Sequence, residues 1–531
     1  MRRSVQSAAL AGILACASWL GTTGAVALEL TEQETAGKQI YTQGTSPSGG
    51  TISARVGPTG TPMPASIVPC ANCHGGDGRG RPEGGIRPTD ITWRRLSAGY
   101  GQRLASGREH PAYDEAAFAR AVTAGIDPGG THLDQAMPRF VMSMRDMAAL
   151  TAYIKRLEHD RDPGLGPGTL RIGTLQPESG RLAGLGASVA GVLRAVFDDI
   201  NERGGIHGRR IELVTADPGP DRASAEAALR RLLEEEQVFA VVAPFAPQLE
   251  GDLRAIIDDA GVPVVGPIGR LAEGDGSRFL FDPLPGLHEL LFALADFALA
   301  HLGMDQPTVA VLHPDDDVNR ALAAALAQRL QRGGWDNVLG VGHPPGGLDA
   351  PAVARAISDH GVQGVFFLGA NDDFAALAAA SQDLMVAPFL FAASIQVGLA
   401  ALEIAPMYSE RVFLAYPTLP EDRTAAGIAA LQAVRERAGL GAVHDAFQVS
   451  AYTAAVVLAE ALKRSGRDAS REKLVSALER LHDYRTGLTP PIGFGPAQRI
   501  GARGAHIVTV DLAKGRFLPT GHYIKLESSR Q

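Results

Sequence analysis

The chain has 531 residues, of which 45% are hydrophobic and 20% are charged, and its formal net charge at pH 7 is −8. This composition is that of ordinary globular domains, and the length favours more than one domain. The negative charge gives no support to a nucleic-acid partner. The three cysteines, at positions 16, 70 and 73, are too few for a disulfide framework, so packed cores must stabilise the fold.

The N-terminus has the pattern of an export signal. Two arginines precede an apolar run at residues 8–20, and a small-residue cleavage site follows at residues 25–27. We therefore predict that residues 1–27 are a signal peptide, cleaved after Ala27, and that the mature protein is periplasmic. An alternative is a lipoprotein signal, which would leave an acyl anchor on Cys16.

Residues 28–160 are predicted to form one domain with a helix at each end. Thr31 and Glu34 have the spacing of a capping box at the start of the first helix. Apolar residues recur at helical spacing from Met147 to Leu157, which predicts the second helix. Residues 42–69 are rich in Gly, Ser, Thr and Pro, and we interpret them as an insertion loop.

Between these helices lies the pentapeptide Cys70-Ala71-Asn72-Cys73-His74. Two thiols at this spacing, followed by a histidine, are what covalent attachment of a c-type haem requires: each thiol joins one vinyl group, and His74 binds the iron. The two cysteines alone would also suit a redox dithiol or half of a zinc site. Zinc needs further close ligands, however, and a thioredoxin-like motif needs a preceding strand. We therefore predict one covalently attached haem c.

These features resemble the class I c-type cytochromes. In that family the N- and C-terminal helices cross, and Gly37 and Tyr41 stand in the corresponding places, facing the region of Tyr153. The resemblance covers about a quarter of the chain and implies an all-α haem domain at residues 28–160.

The resemblance also implies a second iron ligand. The family's methionine ligand sits in a Met-Pro turn before the C-terminal helix, and Met137-Pro138 is such a turn. Because histidine and methionine ligation raises the reduction potential, Met137 would suit electron transfer. The competing candidates, for which core packing or another role is the simpler interpretation, are Met142, Met144, His132 and His110.

A second unit is predicted after a joint rich in Gly and Pro at residues 161–168. From residue 169 onward, short apolar runs alternate with amphipathic helical patterns, which predicts parallel sheets covered by helices on both faces. The strands are too many for one small sheet, so we predict two α/β lobes. Lobe 1 is placed at about residues 169–284 and 417–489, and lobe 2 at about residues 285–416 and 490–525.

The second unit contains three notable segments in chain order: Ile172-Gly173 with Ser179-Gly180, then Gly204-Gly205-Ile206, then a predicted long helix at residues 448–462. They resemble the opening strand and ligand loop, the Gly-Gly-Ile turn and the long first-lobe helix of the type I periplasmic binding proteins. That leucine/isoleucine/valine-receptor group serves ABC transporters. The resemblance covers nearly all of residues 169–524 and implies a ligand cleft between two lobes.

In that family the ligand is held by loops that follow the strands. The residues so implied in this chain are Gln176, Ser179, Phe245, Gln248, Ile268 and Tyr416. Amino-acid receptors use Ser and Thr hydroxyls in the second and third loops, where this chain has residues 244–248 (PFAPQ) and 266–269 (GPIG). The missing hydroxyls favour a less polar ligand that is not an amino acid, or a purely structural cleft.

The sequence supports two functions in different classes. The main prediction is an exported mono-haem cytochrome that exchanges electrons with a periplasmic dehydrogenase or oxidase, fused to a domain for a small unidentified ligand. The alternative is a periplasmic solute receptor of an ABC transporter or sensor system, in which the haem is secondary. A haem peroxidase would need Met137 displaced from the iron. No catalytic residue, nucleophile elbow or Walker motif is recognisable, so we predict a protein that is not an enzyme.

Overall fold

A computed structural model of the chain describes residues 30–80, 88–98, 102–103, 109–269 and 276–526. The predicted signal peptide at residues 1–27 and the alternative lipidation site Cys16 lie outside these ranges. The described chain forms an N-terminal domain up to residue 160, followed by a larger unit built on two separate parallel sheets. The predicted two-lobed α/β architecture of the second unit is confirmed.

The described part of the N-terminal domain combines short helices with short strands. Its helices are α1 (Glu32–Gln43), α2 (Cys70–His74), α3 (Trp93–Leu96), α4 (Glu115–Ala124) and α5 (Met144–Arg156). Its strands are β1 (Ser53–Val56), β2 (Thr61–Pro64), β3 (Gln102–Arg103), β4 (Glu109–His110) and β5 (Arg139–Val141). The predicted capping box opens α1, and the predicted periodic segment forms most of α5.

Helices α1 and α5 cross at very short range because a glycine lies at their contact. A Cβ atom on Gly37 would overlap the backbone carbonyl oxygen of Ala149 in α5. One turn further along α1, the ring centroid of Tyr41 lies 5.6 Å from that of Tyr153, and both side chains are buried. The two terminal helices therefore form the centre of the domain's core.

The N-terminal domain is not all-α, so that prediction is wrong. The segment interpreted as an insertion loop contains β1 and β2, which pair as an antiparallel hairpin, and β5 pairs with the other side of β1. The hairpin turns at Gly57 and Gly60, whose φ angles of 70° and 62° are left-handed. Strands of four residues, one of them with prolines at positions 62 and 64, carry no alternating apolar pattern from which a sheet could be predicted.

Lobe 1 is a five-stranded parallel sheet with helices on both faces. Its strands, in the order β10-β9-β8-β6-β7, are β6 (Thr169–Leu175), β7 (Arg210–Ala216), β8 (Ala240–Val242), β9 (Val264–Val265) and β10 (Leu280–Phe281). Its helices are α6 (Ala183–Glu202), α7 (Arg222–Arg230), α8 (Leu253–Ala260), α14 (Ala425–Ala438), α15 (Asp445–Ser465) and α16 (Arg471–Glu479). The segment Gly180–Glu202 is apolar and long enough to cross a bilayer, but 56% of its most apolar stretch is buried within the fold, as in a core helix.

Lobe 2 is a seven-stranded sheet in the order β12-β11-β13-β14-β15-β16-β17. The first five strands are parallel to one another, β16 is antiparallel to β15, and β17 is antiparallel to β16. The strands are β11 (Val309–Pro314), β12 (Val338–His343), β13 (Gly364–Phe367), β14 (Phe389–Ala393), β15 (Val412–Tyr416), β16 (Gly504–Asp511) and β17 (Arg516–Lys525). The helices are α9 (Leu287–His301), α10 (Asp317–Arg332), α11 (Ala350–Asp359), α12 (Asn371–Asp383) and α13 (Ser394–Val397).

The chain crosses between the lobes after β10, after β15 and before β16. Strands β10 and β15 are parallel to their neighbours and end at a crossing, and β16, antiparallel to β15, begins at one. All three crossings therefore lie at the carboxyl edges of the two sheets, so these edges face each other across a cleft. Two crossings pair directly, since the N–H of Asp282 donates to the carbonyl of Arg499 at 2.9 Å.

The last crossing comes later in the chain than the predicted lobe boundary between residues 489 and 490. Ile492 and Phe494 are buried in the core of lobe 1, and the ring of Phe494 lies edge-on to that of Phe281, 5.3 Å between centroids. Residues 490–502 therefore belong with lobe 1, and lobe 2 resumes at β16.

The N-terminal domain contacts lobe 1 through the turn that follows α2. Arg79 Nη2 lies 3.4 Å from Asp468 Oδ2, and the hydroxyl of Ser470 donates to Asp77 Oδ2 at 3.5 Å. Asp468 and Ser470 immediately precede α16, so the residues next to the Cys-His motif face the start of a lobe 1 helix.

Arg471 joins this contact to the lobe 1 sheet. Its backbone N–H donates to Asp162 Oδ2 at 2.5 Å, and its guanidinium donates to the carbonyls of Val238 and Phe239 at 2.9 and 3.1 Å. Those carbonyls precede β8, so they mark the amino edge of the sheet. The N-terminal domain is therefore attached at the end of lobe 1 opposite the cleft.

Candidate functional site

The cleft edge of lobe 1 is formed by the loops after β8 and β9, which enclose a shallow depression open to solvent. Its lining is almost entirely apolar, with Glu250 as the exception, and consists of Pro244, Ala246, Pro247, Leu249, Glu250, Leu253, Pro267, Ile268 and Gly269. Ala243 has a left-handed φ of 42° and Gly266 a φ of 70°, and both turn the chain out of the sheet at its carboxyl edge.

These loops offer few hydrogen-bond donors to a ligand. Proline has no N–H group, and three of the lining residues are prolines. The N–H of Phe245 already donates to the carbonyl of Leu175 and that of Ile268 to the carbonyl of Pro244, both at 2.8 Å. The N–H of Leu249 donates within its own turn. A carboxylate, which is usually held by several N–H or hydroxyl donors, therefore finds a poor site here.

Three of the six residues predicted in the cleft are buried in lobe 1, and Ile268, although it borders the depression, is one of them. Gln176 is 1% exposed, and its Nε2 donates to Thr174 Oγ1 and to the carbonyl of Ala243 at 2.8 and 2.7 Å. Its Oε1 has no hydrogen-bond partner among the described residues. Phe245 is 7% exposed and packs edge-on against Phe447, with 5.9 Å between the ring centroids.

The other three predicted cleft residues lie at the cleft edges with different roles. Ser179 is exposed before a short turn, and Gln248 Nε2 donates to the carbonyl of Gly219 at 2.6 Å. Tyr416 ends β15 in lobe 2 and packs edge-on against Phe517. Burial raises the pKa of Tyr416 to about 12, so its hydroxyl is protonated at neutral pH.

Lobe 2 contributes exposed apolar residues that sequence reasoning missed. Val318 follows β11, and Ile395 and Leu399 follow β14, so all three lie at the carboxyl edge that faces lobe 1. Their side chains are 41%, 45% and 69% exposed. In the sequence they resemble ordinary core residues of helices. Their position directly after buried strands is the signal that would have identified them.

The predicted haem-attachment residues lie together on α2. Cys70 is half-buried, Cys73 is exposed and neither forms a disulfide. Burial raises the pKa of Cys70 to about 12 and lowers that of His74. His74 Nδ1 donates to the carbonyl of Thr89 at 3.0 Å, which leaves Nε2 as the nitrogen for a metal. These residues fit covalent haem attachment.

The predicted second ligand and its competitors differ in burial. Met137 is half-buried in the turn before β5, and its N–H donates to the carbonyl of Asp134. His132 is exposed, Met142 packs half-buried against the core, Met144 is 90% exposed, and His110 is buried. Within the described residues, the structure contains no group of three or more His, Cys, Asp or Glu side chains placed to hold a metal ion.

Comparison with known proteins concerns the two-lobed unit. Residues 169–516 match the family described as periplasmic binding protein. An amino acid binding protein of Pseudomonas aeruginosa is 27% identical over 204 residues, which cover 38% of this chain and 54% of that protein. A leucine-, isoleucine-, valine-, threonine- and alanine-binding protein of the same organism is 26% identical over 338 residues, which cover 61% of this chain and 86% of that protein. The chain spans about half the length of the first of these relatives.

Solved structures show the same fold. A fatty acid ABC transporter substrate-binding protein from Thermomonospora curvata has a TM-score of 0.54 and 17% identity, covering 70% of this chain and 95% of its own. A leucine-binding protein from Thermotoga maritima has a TM-score of 0.55 and 18% identity, covering 67% of this chain and 99% of its own. At these identities the likeness shows the fold alone.

These matches overturn the predicted main function, an electron-carrying cytochrome with a dehydrogenase or oxidase as redox partner. The matched family consists of substrate-binding proteins without enzymatic activity, so the alternative, a solute receptor, fits the comparisons better. The structure agrees in one respect, since the N-terminal domain is not all-α. The matched residues begin at 169, so the haem-attachment residues themselves remain a prediction.

Proposed function

The chain belongs to the periplasmic binding protein family, and on that premise we propose that it is the solute receptor of an ABC transporter. Its location is periplasmic or extracellular, and its partner is a membrane permease. The ligand is a small, uncharged and mainly apolar molecule held between the carboxyl edges of the two lobes. The cleft geometry supports this proposal, because three chain crossings at those edges allow one lobe to close on the other.

The observation that carries the ligand class is the shortage of donors on lobe 1. The loops that would hold an amino acid's carboxylate contain prolines and N–H groups already bonded to carbonyls, those of Phe245 and Ile268. Gln176 supplies no donor to the depression either, because it is buried and its Nε2 already donates to Thr174 Oγ1 and to the carbonyl of Ala243.

Apolar surface on both sides of the cleft supports the same class. Lobe 1 offers the exposed Pro247 and the half-buried Ala246, and lobe 2 offers Val318, Ile395 and Leu399 with large exposed fractions. Burying these side chains against an apolar ligand would favour closure by about 25 cal/mol for each Å² removed from water. A branched or linear aliphatic alcohol meets both conditions, because it has an apolar body and no carboxylate.

A second candidate ligand is a branched-chain amino acid. It is favoured by the names of two similar proteins, an amino acid binding protein and a leucine-, isoleucine-, valine-, threonine- and alanine-binding protein. A similar fold also occurs in a fatty acid receptor. Amino acids and fatty acids share an apolar part, and they differ from an alcohol in carrying a carboxylate.

Calorimetric titration of the full chain with leucine, isovalerate and isoamyl alcohol tests the proposal, because these ligands share one branched chain and differ in the polar end. We expect the alcohol to bind about tenfold or more tightly than either carboxylate. Ala246→Phe, which fills the lobe 1 depression, should abolish binding. Ala429→Phe, at an exposed position of α14, adds the same ring away from the cleft and should have no effect. Tighter binding of leucine, lost in the Ala246 variant, would contradict the ligand class and leave the receptor function standing.

We also propose that the N-terminal domain carries one covalently attached haem c, without an electron-carrier function. Cys70 and Cys73 would each form a thioether with a haem vinyl group, His74 Nε2 would bind the iron, and Met137 would be the second ligand. The support is local: the two thiols and the histidine lie on one helical turn, and Thr89 holds the other ring nitrogen of His74.

Mass spectrometry and a pyridine haemochrome spectrum of exported protein test this attachment. We expect the mass to exceed that of the polypeptide by one haem, and Cys70→Ser with Cys73→Ser to remove the excess. Met137→Ala should keep the added mass and change the visible spectrum of the oxidised protein. Exported protein with free thiols and no added mass would contradict the proposal.

A further inference from the structure

Lobe 2 contains a second cavity, remote from the cleft. It lies between α11 and the face of the sheet formed by β12, β11 and β13, and its volume is about 230 Å³. Its walls are central residues of the strands, such as Leu312 in β11 and Val365 in β13, and not the loops at the carboxyl edge. It is therefore independent of the solute cleft and of the function proposed above.

The cavity exists because small residues stand on both of its sides. On the sheet side, the space borders Ala310 in β11, a small residue on the same face as Leu312 and Val365. On the helix side, Val353 and Ala356 are one turn apart on α11 and line the cavity, but both remain half-buried. The space opens to solvent beside the edge strand β12, and side chains that would pack an ordinary protein interior leave it unfilled.

The lining determines what the cavity can hold. Ten of its eleven residues carry no polar side-chain atom, and His360 is the exception. The inner wall, with Leu312, Ile357 and Val365, is almost completely buried, whereas Gly340 and His360 are exposed and mark the opening. None of these lining residues is Asp, Glu, Lys or Arg, so a charged ligand would lose its hydration without compensation.

His360 gives the opening one defined polar group. Its Nδ1 lies 2.9 Å from the carbonyl of Ala356, and because a carbonyl only accepts, Nδ1 is the protonated nitrogen in this contact. In the neutral side chain Nε2 is then an acceptor. A ligand with a single hydroxyl at one end could donate to it while its apolar body fills the space.

We propose that this cavity binds a small uncharged apolar molecule, about the size of a benzene ring with a short substituent and with at most one hydroxyl group. The size follows from comparison with an apolar cavity of about 150 Å³ in another protein, which stays dry and binds benzene. Such a ligand would bind by burying apolar surface, and only its hydroxyl would contact the rim at His360.

Phenol is the probe for a direct test with the full chain. We expect saturable binding by calorimetry and a rise in Tm that grows with phenol concentration. Ala310→Leu fills the space from the sheet and Ala356→Leu fills it from the helix, and each should weaken binding by about tenfold or more. Ser358→Leu adds the same side chain as Ala356→Leu at an exposed position of α11 and should bind like the natural chain. Two filling variants from opposite walls guard against misfolding of one of them.

The possible outcomes separate this site from the cleft. Phenol binding that survives both filling variants but is lost in Ala246→Phe would place it in the cleft and overturn the proposal, without affecting the proposed receptor function. Absence of phenol binding, with filling variants more stable than the natural chain, would reduce the cavity to a packing void. Absence of binding together with self-association that the filling variants abolish would assign the surface to a second copy of the chain.

Discussion

The N-terminal domain and the two-lobed unit stabilise their cores in different ways. The N-terminal domain gathers its buried residues around one close crossing, α1 with α5, between short strands and turns. Each lobe of the larger unit instead has a broad parallel sheet with buried residues on both faces. A core centred on one crossing depends on single contacts, whereas a core spread over a sheet tolerates the loss of one. We therefore expect the N-terminal domain to be the less stable region and to unfold first.

The largest expected effect comes from enlarging the residue at the helix crossing. Gly37→Leu would place side-chain atoms where the backbone of Ala149 and the Cβ of Tyr153 now lie. Because backbone atoms cannot move aside cheaply, we expect a loss of about 3 kcal/mol or more in the N-terminal domain. Calorimetry should show the lower-temperature transition shifted or lost, with the transition of the two-lobed unit unchanged.

Gly184→Leu is the matched control for the Gly37 variant. Gly184 lies in α6 of lobe 1, and an added Cβ would meet no atom within 4 Å. Since leucine has a higher helix propensity than glycine, we expect a neutral or slightly stabilising change of less than about 1 kcal/mol. One cooperative transition for the whole chain, shifted equally by both variants, would break the comparison between the two regions.

Arg471→Ala tests the place where the two regions meet. The substitution removes two hydrogen bonds to the carbonyls of Val238 and Phe239 and takes a positive charge from beside the half-buried Asp162. We expect a loss of about 2 kcal/mol in lobe 1 and faster proteolysis in the linker at residues 161–168. Arg480→Ala, at the exposed end of α16, should change neither. If lobe 1 is destabilised but the rate of proteolysis in the linker does not change, Arg471 does not couple the two regions.

Tyr41→Phe removes a single buried hydrogen bond of the N-terminal domain. The Tyr41 hydroxyl donates to the carbonyl of Gly75, directly after the Cys-His motif, at 2.6 Å. We expect a loss of about 1 kcal/mol, seen in the lower-temperature transition. Thr453→Val, which removes a buried hydroxyl of lobe 1 that has no partner among the described residues, should cost less. A larger effect of the Thr453 variant would contradict the view that the small core depends more on single contacts.

The long elements of the fold were predictable because their signals are local. The capping box at Thr31, the helical spacing after Met147 and the strand–helix alternation from residue 169 each report a repeated burial pattern. The hairpin of β1 and β2 was missed because its strands have four residues each and expose most of one strand. The late crossing between the lobes was missed because Ile492 and Phe494 have no periodic context.

The site was less predictable because it depends on where loops turn. Phe245 follows a strand, as a cleft residue should, but its side chain turns inward against Phe447. Ile395 and Leu399 look like core residues and are exposed at the opposite edge. The cavity beneath α11 is a volume that no side chain fills, and it becomes visible only when the helix with Ala356 is packed on the strand with Ala310. Sequence position identifies the cleft loops, whereas packing decides which side chains enter it.

The smallest expected effect concerns an ion pair of the two-lobed unit, at Asp445. Burial by itself would raise the pKa of this carboxyl group, but the guanidiniums of Arg423 and Arg435 outweigh it and lower the pKa overall. A lowered pKa in the folded state adds stability above the unfolded value of about 3.9, and this stability is lost as the pH falls through the folded value. Because the side chain is 35% exposed, Asp445→Asn should cost less than about 1 kcal/mol at pH 7.

The difference between the natural chain and Asp445→Asn should therefore shrink from pH 7 to about pH 3 in urea unfolding experiments. Asp359→Asn, at the exposed end of α11, removes the same charge from lobe 2 and controls for the change in net charge. A small effect at Asp445, although it holds two arginines, would agree with a core that does not depend on single contacts. A loss as large as that of Gly37→Leu would mean that the α14–α15 junction is as critical to lobe 1 as the helix crossing is to the N-terminal domain.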